Sequence, residues 1–200
     1  MNWFHKVFLK LPCAIQAKKL TESHVSFKLK NVLLTDSSPK ILDIGCSRNK
    51  MPEAIGMDID PTSQADIFHD LNRFPYPLEE NSIDKIYAKH IIEHLDHPRE
   101  FLREIYRILK PGGTAFVETP HFSSRVAYSE PEHKLFYSYF MFTELLKGLD
   151  FKVLRQEITF YKTFRLLGIR HLANRFPDTY ERFWTYLFPA ENVILLVQKS

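Results

Sequence analysis

Three short apolar segments of this chain each run into an acidic residue: Lys40-Ile41-Leu42-Asp43-Ile44-Gly45-Cys46-Ser47, then Gly56-Met57-Asp58-Ile59-Asp60, then Phe68-His69-Asp70-Leu71. In an open parallel sheet the carboxyl ends of neighbouring strands face one crevice. Carboxylates placed there accept hydrogen bonds from a ribose diol and from an adenine amino group. The pattern predicts an α/β protein that binds a nucleoside-containing cofactor.

The turn after the first segment narrows the choice. A dinucleotide fingerprint needs G-x-G-x-x-G, because a pyrophosphate requires bare backbone above a helix N-terminus. Here Ser47 stands where the second glycine would be and Lys50 where the third would be, which makes NAD a weak reading. The Walker pattern G-x-x-x-x-G-K-[ST] is absent from the sequence. S-adenosylmethionine carries no phosphate and asks for a close turn, a ribose acceptor and an adenine contact, which Gly45, Asp58 and Asp70 supply.

The order Ile41-Leu42-Asp43-Ile44-Gly45-Cys46, Gly56-Met57-Asp58, His69-Asp70-Leu71, Asn81-Ser82-Ile83-Asp84-Lys85-Ile86, Glu93-His94-Leu95 and Ile108-Leu109-Lys110-Pro111-Gly112-Gly113 resembles the class I S-adenosylmethionine-dependent methyltransferases, especially their small type 11 branch. Roughly residues 39 to 122 carry the likeness. It implies a Rossmann-like, mostly parallel seven-stranded sheet with an antiparallel edge strand. It also implies roles: Asp58 on the ribose diol, Asp70 with the Leu71 amide on the adenine edge, and Asp43 behind the methionine amino group. Asp60 reads as a turn residue before Pro61. Two departures stand out. The family usually has glycine at the position of Ser47, and only about ten residues separate Gly45 from Gly56. A crossover with its helix usually needs at least 10 to 12 residues, so the first helix is expected to shrink to a turn or less. Residues Ser47 to Lys50 then offer backbone amides and a lysine charge to the methionine carboxylate.

Two hundred residues with 44% hydrophobic content suit one domain spanning 1–200, large enough for a real core. Cys13 and Cys46 form no metal or disulfide pattern, which fits a reducing, cytoplasmic compartment; Cys46 reads as a small buried residue rather than a nucleophile. No apolar run reaches the 18 residues of a membrane span, and no signal-peptide cleavage site follows the N-terminus. The formal charge of +3 is small, which argues against a nucleic-acid acceptor.

Residues 1–38 form an N-terminal segment that reads as basic and helical, with Trp3, Phe4, Val7, Phe8 and Leu11 on one face. Strands are expected near 40–44, 54–59, 65–68, 85–88 and 114–118. A helix should start at Pro98, capped by Asp96 or His97, and stop at Lys110-Pro111-Gly112-Gly113. A further helix over about 138–149 and two last strands, 151–159 and 192–198, complete the pattern. Between those strands lies a helical insert, 160–189, in which Tyr161, Phe164, Phe176, Tyr180, Phe183, Trp184, Tyr186 and Phe188 alternate with basic residues. These aromatics are expected to cover the sheet and roof the acceptor pocket; the alternative is peripheral contact with a lipid surface through the insert and the N-terminal segment.

His90-Ile91-Ile92-Glu93-His94 spells H-x-x-E-H, a metallopeptidase pattern when it lies on one helix with a third ligand from elsewhere. The strand reading before it and Pro98 after it argue against that helix, and no metal is expected. The same residues would instead sit beside the reactive sulfonium. His121, directly after the fifth strand, and His133, in the following loop, are the expected general bases, with His90 a third catalytic candidate and Glu118 and Arg125 weaker ones. The reading is methyl transfer to an oxygen or nitrogen of a small molecule, with a sugar or lipid-linked acceptor among the options. Its rival is a cofactor-binding domain without turnover that regulates or scaffolds a partner. The oligomeric state is not set by the sequence.

Overall fold

The computed structural model describes residues 38–165 and 168–200, so the expected N-terminal helix and Cys13 lie outside the described residues. Seven strands form one sheet: β1 (Ile41–Ile44), β2 (Ile55–Asp58), β3 (Ile67–Phe68), β4 (Ile83–Lys89), β5 (Leu109–Pro120), β6 (Phe151–Ile158) and β7 (Asn192–Lys199). Their order is β3-β2-β1-β4-β5-β7-β6. The first five are parallel, and β7 runs antiparallel to both β5 and β6. The Rossmann-like class expected from the sequence is therefore present, with the antiparallel strand one place inside the edge that β6 forms.

The central strands are apolar because both faces are covered. Leu42, Ile44, Met57, Ile83, Ala88, Ala115 and Val117 are buried in β1, β2, β4 and β5. Between Gly45 and Ala54 the chain makes only turns, as the short spacing requires. That stub lies directly on β2: a Cβ at Gly56 would stand 2.7 Å from the Lys50 side chain and 2.8 Å from Cys46 Sγ. A helix would need room that only the missing residues could span.

Helix α1 (Pro98–Ile108) covers the sheet with Phe101, Leu102, Ile105 and Ile108, all fully buried at helical spacing. Pro98 opens it, as expected, but His97 at the N-cap makes no side-chain cap bond. The helix passes straight into β5 at Leu109, so β5 starts earlier than the Pro-Gly-Gly signal suggests; the extra residues form the irregular stretch opposite Ile83 and Lys85.

On the flank of α1, the Arg107 guanidinium forks onto Glu104, with Nη2 to Oε2 at 2.8 Å, while the Tyr76 amide donates to Glu104 Oε2 at 2.9 Å. Arg107 also donates to the carbonyls of Leu78 and Tyr76, which ties the proline-containing loop to the helix. Burial alone would raise the Glu104 pKa, but the Arg107 fork and the Tyr76 amide outweigh it and hold the carboxyl below its ordinary 4.5. A depressed carboxyl contributes stability above its unfolded value and loses it as pH falls through the folded one. Glu104→Gln is accordingly expected to cost about 1–2 kcal/mol near neutral pH and to flatten the loss of stability below about pH 4.5. Urea denaturation across pH 3 to 7 checks this; parallel curves for the two proteins would refute it.

After β5 come two helices, α2 (Arg125–Ser129) and α3 (Tyr139–Leu145), each started by a serine, Ser124 or Ser138, whose hydroxyl accepts a backbone N–H. The insert folds as short helices, α4 (Lys162–Arg165), α5 (Ile169–Arg175) and a single turn α6 (Pro177–Thr179), followed by a wider turn over Tyr180–Trp184. Ile158, Phe160, Ala173, Tyr180 and Ala190 form a small core of their own beneath it. The aromatic residues thus divide: Phe160 and Tyr180 are buried, whereas Phe176, Phe183, Trp184 and Tyr186 are exposed, Tyr186 by 84%. Among the described residues no helix is long and apolar enough to cross a membrane.

Candidate active site

The parallel strands deliver the predicted cofactor residues to one end of the sheet. Gly45 ends β1 at φ +70°, and its amide donates to the Met57 carbonyl at 2.8 Å. A Cβ there would meet the Ile91 side chain at 2.9 Å, so glycine keeps the backbone bare at the mouth of the crevice. Ser47 also takes a positive φ, +47°, and donates its amide to Asp58 Oδ2 at 2.9 Å; the Asp60 amide donates to Oδ1 at 2.9 Å. Each Asp58 oxygen thus accepts one N–H and retains a lone pair, the acceptor set a vicinal diol requires.

Asp43 is buried, and its Oδ2 accepts from the Met51 amide at 2.8 Å. Burial raises its pKa above the usual carboxylate range, partly offset by that amide and by the charges of Lys89 and Lys50. Lys50, expected to offer its charge to the cofactor, instead pairs with Asp66 at 2.7 Å. Burial, reinforced by the charges of Asp58 and Asp43, pushes the Cys46 thiol up to about 11, so it is an inert neighbour as expected. Asp70 lies two residues beyond β3; its Oδ1 accepts from the Asn72 amide, and buried Leu71 offers its carbonyl to the Tyr76 hydroxyl. Asp60 is the turn residue the sequence suggests, accepting from Thr62.

The sequence reading passed over Ile59 and Phe68. Both are more than half exposed at the ends of β2 and β3, and Phe68 is the register partner of Asp58. Large apolar side chains beside a ribose acceptor supply the flat surface on which a base packs. Their signal was an apolar residue at each strand end, Ile59 just after β2 and Phe68 the last residue of β3, where the core no longer needs one.

The three histidines part company. His121 is fully buried; the Ser123 amide donates to its Nδ1, and its Nε2 lies 3.1 Å from Glu181 Oε1. Glu181 also accepts from the Tyr139 amide, so His121 pins the insert to the end of β5. Both ring nitrogens are engaged and the residue is absent from the nearby cavity lining. This corrects its expected place beside the acceptor: the ring is fully buried and held between Ser123 and Glu181. His90 and His133 do converge. Together with Glu93, His94, Glu130, Tyr161, Glu191 and Asn192 they line a cavity of about 350 Å³ beyond β4 and β5.

His90 follows β4 at φ +51°, its amide bonded to the Glu118 carbonyl, and its half-exposed ring places Nδ1 3.5 Å from Glu93 Oε1. The Glu93 carboxylate raises the imidazole pKa, against desolvation that would lower it. The H-x-x-E-H segment is not a long helix; only Ile92–His94 make a 3₁₀ turn, which directs Glu93 inward and leaves His90 on the rim. Glu118 instead accepts from the Asn192 side chain, joining β5 to β7, and Arg125 is exposed on α2.

The sheet order, the glycine turn and the acidic strand ends fit a known set of proteins. The methyltransferase domain family of type 11 matches residues 15–117. The chain belongs to that family. It is therefore a class I methyltransferase domain, and the cofactor of its family is S-adenosylmethionine. A probable S-adenosylmethionine-dependent methyltransferase of Mycolicibacterium smegmatis is 31% identical over 117 residues, which cover 50% of this chain and 43% of that protein. The mitochondrial ubiquinone biosynthesis O-methyltransferase of Mus musculus is 25% identical over 42% of this chain and 29% of its own length. The matched regions span less than half of either relative. Among solved structures, a SAM-dependent methyltransferase from Archaeoglobus fulgidus shares the fold at a TM-score of 0.61 and 19% identity, covering 90% of this chain and 94% of that one. The [4+2]-cyclase SpnF also shares it, at a TM-score of 0.55 and 18% identity over 89% of this chain and 80% of its own.

Proposed function

We propose that this methyltransferase transfers the methyl group of S-adenosylmethionine to an oxygen or nitrogen of a small molecule. The observation that carries the reading is the join of a cofactor-shaped strand end, Gly45-Ser47-Asp58, to a polar cavity of about 350 Å³ at the neighbouring ends of β4 and β5. The cofactor, when bound, supplies a sulfonium whose methyl is already activated, so positioning is the protein's main task. Asp58 would accept the ribose hydroxyls, Asp70 and the Leu71 amide the adenine edge, with Ile59 and Phe68 beside the base. Asp43 and the Ser47 turn would hold the methionine end. His90, the histidine whose ring reaches the rim, would take the acceptor's proton. An O-methyltransferase among the relatives supports oxygen over nitrogen.

The rival is a cofactor-binding domain without methyl transfer that regulates or scaffolds a partner, since a protein of this fold can be named for something other than methyl transfer. The two readings differ in product. Incubation with methyl-labelled S-adenosylmethionine and a panel of small hydroxyl and amine acceptors should transfer label to one class; label in none, with cofactor bound, supports the rival.

A second surface carries its own reading. Phe183, Trp184, Tyr186 and Leu187 are exposed together beside Arg182, and we propose that this stretch of the insert rests on an anionic lipid surface, where aromatic rings favour the headgroup level and each cation adds about 1 kcal/mol. The domain should float with phosphatidylserine vesicles at low ionic strength; its remaining at the bottom of the gradient would remove this contact.

A further inference from the structure

Glu93 is 1% exposed, and its Oε2 accepts from the Thr119 hydroxyl at 3.0 Å, but its Oε1 has no hydrogen-bond partner. A buried carboxylate oxygen left without a donor is costly, and such groups are normally paired or hold a cation. Oε1 faces the rings of His90, at 3.5 Å from Nδ1, and His133, at 4.0 Å from Nε2. Among the described residues, the cavity it faces is lined by three carboxylates, Glu93, Glu130 and Glu191, and three histidines, with no lysine or arginine.

The orientation of the histidines is specific. His133 directs Nδ1 to the Ala127 carbonyl at 2.9 Å, which makes Nδ1 a donor and turns Nε2 toward Glu93 and Glu130. His94 likewise directs Nδ1 to the Glu132 carbonyl at 3.3 Å, leaving Nε2 for the cavity. Metal-ligating histidines are held in this way, one ring nitrogen donating to a backbone carbonyl and the other free to bind. A ring nitrogen aimed at carboxylates calls for something positive between them, a proton on the ring or a bound cation.

We infer that Glu93, His94 and His133 form a site for a divalent transition-metal ion of the zinc type. Their ligand atoms lie within 4.8 Å of one another, and tetrahedral coordination at about 2.0–2.1 Å brings such atoms to roughly 3.3 Å apart. Small side-chain rotations of the three residues would close the difference. Two imidazoles and one carboxylate satisfy a catalytic metal while leaving further positions open, here toward the cavity. The sequence reading expected no metal because the H-x-x-E-H motif lacked its helix and its third ligand. The 3₁₀ turn does separate His90 from the set, but the loop after β5 supplies His133 instead. The open positions would take a lone pair of an oxygen-bearing acceptor such as a phenol or hydroxy acid. That use rests on the methyl-transfer reading, whereas the ion site does not.

The test is a titration of the chelator-stripped full chain with Zn²⁺ against a chromophoric chelator, repeated with Co²⁺ to read visible absorption. One ion per chain and the intense bands of four- or five-coordinate cobalt are expected. Glu93→Gln, His94→Ala and His133→Ala should each weaken Zn²⁺ binding at least about 100-fold, more than loss of a supporting group does. His90→Ala should keep the stoichiometry. His94 is partly exposed, so its variant is expected to melt like the parent and separates ligation from folding. Absence of saturable Zn²⁺ binding at micromolar concentration, or parental affinity in the His94 or His133 variant, overturns the site, and zinc lost only with His90→Ala would do the same. S-adenosylhomocysteine binding measured in chelator reports the cofactor reading separately.

Discussion

Asp58→Ala should abolish the thermal stabilisation that S-adenosylhomocysteine gives the parent protein. At about 100 times its dissociation constant, a ligand that binds only the folded state adds about 2.7 kcal/mol, which for a chain of this size raises the melting temperature by roughly 5–10 °C. The expectation rests on the two Asp58 oxygens, each already accepting one backbone amide, from Ser47 and Asp60, and each with a lone pair to spare. Removing the carboxylate strips the ribose acceptor and also frees the Ser47 turn that shapes the methionine end. The unliganded melting temperature of the variant, measured alongside, separates the two effects. A full ligand shift in a normally folded Asp58→Ala protein would exclude Asp58 from the cofactor site.

His90→Ala should lower methyl transfer by about 10²-fold or more while leaving cofactor affinity nearly unchanged, because a general base acts in the transition state and not in cofactor binding. The ring is held above the cavity by an unusual backbone angle, φ +51°, and by Glu93 at 3.5 Å, so its position is built by the end of β4 rather than by chance. His121→Ala makes the informative contrast. Its ring is sealed between Ser123 and Glu181, and its loss should appear as reduced stability and not as a fall in turnover per folded molecule. Equal turnover in His90→Ala and the parent would leave positioning alone as the mechanism. The labelled-cofactor assay serves all three proteins.

What the sequence revealed follows from where local chemistry is sufficient. Strand ends with Asp43, Asp58 and Asp70 were legible because short apolar runs and their acidic terminators are adjacent in the chain. The missing first helix was legible because ten residues cannot span it. The fates of His121 and His133 were not, because both depend on long-range partners: Glu181 arrives 60 positions later in the insert, and the Glu93 that faces His133 comes from the far side of β5. Ile59 and Phe68 were hidden for another reason. An apolar residue at a strand end looks like core until the fold shows that it is itself exposed, as Ile59 and Phe68 are. The early start of β5 escaped because Pro-Gly-Gly signals a break in helix, and an irregular strand satisfies that signal as well as a loop does.

The place of β7 has a consequence for the order in which the molecule is assembled. β6 pairs with β7 and with no other strand, so it joins the sheet only once β7 has docked on β5. Until then β5 presents an open edge of amides and carbonyls, the kind of template that recruits stray strands. The parallel half, β1 to β5, needs nothing from β7 for its own pairing, so the end carrying Gly45 and Asp58 can form first and the cavity, which borrows Asn192 and Glu191, is completed last. Long-range closure of this sort is slow compared with local pairing. A nascent chain would thus acquire the face proposed to bind the cofactor before the cavity proposed to hold the acceptor.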